Sequence, residues 1–61
     1  MNYVISIPKI SYDIAMDTWL MENMDKNSYA WESTVAVNDS AWTLYLEYEV
    51  DFVAFKLRWG V

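Results

Sequence analysis

The 61-residue chain has no cysteine and no histidine, which rules out disulfide staples, thiol chemistry and the common zinc clusters. Four basic against nine acidic residues leave a net charge of −5. Lys9, Lys26, Lys56 and Arg58 are too few and too scattered to neutralise a phosphate backbone or to hold an anionic bilayer.

Residues 3–7, YVISI, are β-branched and aromatic and read as a strand with Tyr3, Ile5 and Ile7 on one face. Pro8 cannot donate a ladder hydrogen bond and should end pairing on one side. Residues 12–24 read as a helix, with Ser11 as N-cap and Asp13 in the first turn, where the helix dipole favours a carboxylate. Tyr12, Ala15, Met16, Trp19 and Leu20 fall on one apolar face, and Asp13, Asp17, Thr18, Glu22 and Asp25 on the other. Ile14 and Met21 lie on the polar side, read as isolated surface apolar residues, which are ordinary, in preference to one edge of a binding surface.

After the loop signal Lys26-Asn27-Ser28, two alternating runs follow. The first, 29–37, puts Tyr29, Trp31, Val35 and Val37 on one face. The second, 42–48, does the same with Trp42, Leu44, Leu46 and Tyr48. Asn38-Asp39-Ser40 between them is turn chemistry, so the pair reads as a β-hairpin.

The closing stretch EYEVDFVAFKLRWG, residues 47–60, is apolar enough to be strand or helix. Its charges decide for a helix over 49–59. Glu49 and Asp51 stand in the first turn, Lys56 and Arg58 in the last, and Gly60 just beyond. That is the order a helix macrodipole favours, with a glycine placed for the left-handed C′ position. The helix has two apolar faces, divided by Asp51 with Arg58 on one flank and Glu49 with Lys56 on the other. The smaller side chains of Val50, Val53, Ala54 and Leu57 are expected to seal the sheet, leaving Phe52, Phe55 and Trp59 for the first helix or another chain.

The order strand, helix, strand, strand, helix predicts a single α+β domain over residues 1–61. Its topology is a truncated ferredoxin-like two-layer sandwich with a three-stranded antiparallel sheet. The usual fourth strand would pair beside the first. With the chain stopping at Val61, that strand is expected to be missing and YVISI to remain an uncharged edge, open to pairing.

DTWLMEN with its Trp19 and Leu20, the tryptophan-bearing hairpin, and the terminal segment Ala54, Phe55, Lys56, Leu57, Arg58, Trp59 together resemble small proteins of tailed phages of marine bacteria. The resemblance brings no activity and no site residues. It implies a phage origin and the cytoplasm of a bacterial host.

One glycine leaves no phosphate-cradling loop. Asp13 and Asp17, four apart on one helix, present a carboxylate pair with the spacing of an acid/base or hard-cation site. Two solvated carboxylates near a helix N-terminus explain them better, because a hard cation needs roughly six or more oxygen ligands and nothing else converges there. The chain is therefore expected to be non-enzymatic, with no cofactor and no metal. No apolar run approaches the roughly 18 residues of a membrane span, and the N-terminus has no signal-peptide charge pattern, so a soluble cytoplasmic protein is expected.

With 56% hydrophobic and 18% aromatic residues in so short a chain, some rings should reach the surface. The expected function is a protein-binding or self-associating module, a homodimer or a binder of a host protein. Its contacts are expected through Phe52, Phe55 and Trp59 or through the strand edge at Tyr3 and Ile5. The alternative is an acidic mimic of nucleic acid that occupies a basic host protein, carried by the −5 charge and the acidic side of the first helix.

Overall fold

The computed structural model describes residues 2–36 and 39–60. Its elements run β1 (Tyr3–Pro8), α1 (Ile14–Asn23), β2 (Tyr29–Ala36), β3 (Asp39–Leu46) and α2 (Glu49–Trp59). The strands form one antiparallel sheet in the order β1-β3-β2, which is the ferredoxin-like arrangement read from the element order. Both β1 and β2 pair on one side only, so among the described residues each leaves an open edge.

Period-two alternation divides the sheet into two faces. Registers Ile5↔Leu44↔Trp31 and Tyr3↔Leu46↔Tyr29 face the helices. Val4↔Tyr45↔Ala30 and Ser6↔Thr43↔Glu32 face away. The core lies between sheet and helices: Ile5 and Ile7 from β1, Leu44 and Leu46 from β3, Met16 and Leu20 from α1, and Phe55 from α2. Ile14 and Met21 are exposed.

Three local expectations are corrected. The N-cap of α1 is Asp13, not Ser11, and its carboxylate accepts the Ala15 N–H at 2.9 Å. Pro8 sets the offset: its carbonyl accepts from Ser11 and Tyr12 at 2.8 and 3.2 Å, which commits residue 11 to a turn. Asp39 and Ser40 open β3 instead of forming the hairpin turn, because pairing runs to Ala36↔Asp39. Val37 and Asn38 lie outside the described residues. Tyr48 is the N-cap residue of α2 and does not extend the strand.

The largest correction concerns α2. Its aromatic side, not its aliphatic side, packs on the sheet. Phe55 is 0% exposed, whereas Val50 is 73%, Val53 45% and Leu57 81% exposed. The reason is area and volume: burial is worth roughly 25 cal/mol per Å², and aromatic rings offer the most of it. Phe52 meets Tyr3 at 5.4 Å between ring centroids, and Phe55 meets Trp19 at 6.0 Å and Trp59 at 6.3 Å. Gly60 closes the helix at φ 68°, its N–H donating to the Lys56 carbonyl at 2.8 Å, as the charge order and the glycine position predict.

The inverted faces make a direct test. Phe55→Ala should cost about 3–5 kcal/mol, which is all that a domain of this size usually has, so that variant is expected to be unfolded. Leu57→Ala should keep its unfolding free energy, read from urea titration, to within about 0.5 kcal/mol of the parent. The opposite ranking would return the aliphatic face to the sheet.

Candidate functional site

Two regions bear on the candidate sites, one left outside the packing of the fold and one drawn into it. The first is the outward side of α2. At roughly 100° per residue, Val50, Val53, Ala54 and Leu57 form one continuous stripe, and with Glu49 they line a shallow apolar depression. Glu49 and Lys56 flank it on the side nearer β1, where the Tyr3 hydroxyl donates to the Glu49 carboxylate across 3.5 Å, a long contact. Asp51 and Arg58 flank it on the other side. Both cations lean on rings of the inner face: Lys56 Nζ lies 5.1 Å from the Phe52 centroid, and the Arg58 guanidinium 4.4 Å from that of Trp59. They thus border the stripe without covering it.

The second region surrounds Asp17. Trp31 Nε1 donates to its carboxylate at 3.0 Å, tying α1 to β2 in a partly buried setting. Tyr12 packs edge-on against Trp31 and tilts against Trp42, both at 5.4 Å, and Lys9 lies 5.4 Å from the Trp42 ring. Trp31 and Trp42 are therefore half-buried in a cluster and are not free stacking platforms. Burial, then the Asp17 charge, then that of Asp13 raise the Tyr12 phenol above the usual tyrosine value. Burial followed by Asp17 does the same to Tyr29. On the open face of the sheet, Tyr45 donates to Glu32 at 3.3 Å, and its phenol is raised first by the Glu32 charge, then by burial and the hydrogen bond.

The carboxylate pair of the first helix thus has structural employment. Asp13 caps the helix and Asp17 anchors an indole. Among the described residues, no group of three or more potential metal-ligating side chains comes together, and no helix is long and apolar enough to cross a membrane.

The five residues expected to bind a partner are brought together, but as packing. Phe55 and Ile5 are core, at 0% and 6% exposure. Tyr3, Phe52 and Trp59 are half-buried against that core. The Trp59 indole N–H is buried without an acceptor among the described residues. What sequence reasoning placed inside, Val50, Val53 and Leu57, is the exposed surface. The signal that would have found it is side-chain size, since the face with more area to bury turns inward.

The fold and this surface define a small α+β domain of ferredoxin-like topology, with one helix apolar on both sides. No family model, curated protein or solved structure matches the chain.

Two measurements check the second region. Asp17→Ala should cost about 1.5–3 kcal/mol, the range for a hydrogen bond to a charged group. Most of that should disappear in a Trp31→Phe background, giving a coupling energy of about 1–2 kcal/mol in a double-mutant cycle of urea unfolding free energies. The tyrosines supply a pH test. Folding raises their phenols, so the folded chain holds those protons more tightly than the unfolded chain. Their contribution is complete below the ordinary value of 10.0 and is lost as pH rises through the raised values. Glu32→Gln should move one phenol, Tyr45, back toward the ordinary value in a tyrosinate absorbance titration, with Tyr12 and Tyr29 unchanged.

Proposed function

We propose that this chain is a small, non-enzymatic protein-binding module whose contact surface is the outward face of α2. One observation carries the reading: Val50, Val53 and Leu57 stand exposed on a single stripe of a helix whose other side is already packed. Isolated surface apolar residues need no explanation, but a contiguous stripe of them marks an interaction surface. The engagement of Asp13 and Asp17 in capping and indole binding supports a role outside catalysis. The A-F-K-L-R-W segment supports a phage origin, and with it the bacterial host's cytoplasm as compartment and a host protein as possible partner.

The test is capture from bacterial lysate at low and high salt by the parent chain and by Leu57→Glu. Leu57 is exposed, so the variant should keep its far-ultraviolet spectrum and urea midpoint. Capture by the parent should survive high salt, because apolar contacts are not screened, and should be lost in the variant. Equal capture by both chains would move the contact surface elsewhere on the fold. Capture that collapses with salt would favour the acidic mimic.

A further inference from the structure

We propose that the outward face of α2 is built to pair with the same face of a second copy, antiparallel, across a two-fold axis near Ala54. This rests on the contact surface assigned above and names its occupant.

The observation that carries it is charge placement. Each flank of the stripe holds one acid near the helix N-terminus and one base near its C-terminus: Glu49 with Lys56, and Asp51 with Arg58. A two-fold axis perpendicular to two antiparallel helices brings like flank to like flank with the direction reversed. Glu49 then lies beside the partner copy's basic end, and Asp51 does so on the other flank. All four flanking charges on each helix meet the opposite sign. A parallel pair would set Glu49 beside the second copy's Asp51 and Lys56 beside its Arg58, and like-charge contacts are disfavoured. The macrodipole alone accounts for the acid-to-base order within one helix. It does not account for an exposed aliphatic stripe between the two flanks. Stripe and order together make the face complementary to itself, which is what a two-fold interface requires.

The apolar side chains fit the same geometry. Val50, Val53, Ala54 and Leu57 follow the three-and-four spacing of a helix-pairing seam. Antiparallel pairing sets Val50 opposite the second copy's Leu57, and Val53 opposite its Ala54. Ala54, half-buried and small, stands where the helices approach most closely. An 11-residue helix is only about 16 Å long, so the pair buries less than the roughly 1,200 Å² of a standard stable interface. The dimer is therefore expected to be weak, with a dissociation constant in the micromolar range.

The chain has no cysteine, so single cysteines report the pairing cleanly. Ala54→Cys should form a disulfide dimer on mild oxidation, because the two Cα atoms sit near the axis. Val50→Cys alone and Leu57→Cys alone should not. Seven residues along a helix separate their symmetry mates by about 10 Å, beyond the roughly 7 Å limit of a disulfide. Mixed, those two variants should cross-link to each other. Sedimentation equilibrium of the cysteine-free chain should show concentration-dependent dimers, and Leu57→Glu should raise the dissociation constant at least about tenfold. Self-linking of Val50→Cys would overturn the antiparallel arrangement. A dimer indifferent to Leu57→Glu would place self-association on another surface, such as the β1 edge. A clean monomer at high micromolar concentration, with no Ala54→Cys link, would overturn self-pairing altogether. Lysate capture abolished by Leu57→Glu would then still uphold the binding-module reading.

Discussion

Phe55 is the side chain on which the fold turns. Its ring is fully buried beneath α2, with Trp19 of α1 and Trp59 of its own helix around it and the Ile and Leu side chains of β1 and β3 in the same cluster. A chain of this length has no disulfide and no metal-ligating histidine to fall back on, so close packing of a few large side chains must supply most of its stability. Aromatic rings do this efficiently because each removes a large apolar area from water while losing few rotamers. The same demand sets the orientation of α2, brings Tyr3 against Phe52, and leaves the Trp59 indole N–H without an acceptor among the described residues.

That orientation has a consequence for the surface. A helix with two apolar faces in a two-layer sandwich can bury only one of them, and the choice of the aromatic face exposes the aliphatic one. An exposed stripe of this kind adds nothing to the stability of the monomer and is a standing liability for non-specific association. Flanking it with paired acids and bases raises its solubility and restricts what can lie on it. Burial of the aromatic face thus fixes which face of α2 is exposed, and the charges beside the stripe give that face its definition.

The Asp17 cluster shows a second way in which a short chain uses polar groups. A carboxylate buried part-way between α1 and β2 would be costly alone, but the Trp31 indole N–H satisfies it and orients the helix over the sheet. The Tyr12 ring closes over the Trp31 and Trp42 rings. Two residues that in sequence resemble the start of a catalytic or cation-binding pair are, in space, a helix cap and an anchor. Spacing along a helix shows that two carboxylates share a side, not what lies opposite them.

Much of the architecture is legible in the one-dimensional pattern, because it depends on local chemistry. Alternation in YVISI and in the two hairpin runs marks three strands, and the acid-to-base order ending in Gly60 marks a helix where hydropathy alone is ambiguous. Boundaries are less legible. Ser11 and Asp13 are both good caps, and only the turn closed on the Pro8 carbonyl selects between them. Asp39 and Ser40 are good turn residues, and only the register with β2 draws them into β3.

By itself, the sequence determines the element order, the sheet-and-helix class, and the presence of two opposed apolar faces on the last helix, since each follows from periodicity and charge along the chain. Which face turns inward is decided only in three dimensions. It depends on which side chains pack against β1, β3 and α1, and the packing of Phe52, Phe55 and Trp59 there leaves Val50, Val53 and Leu57 to the outside.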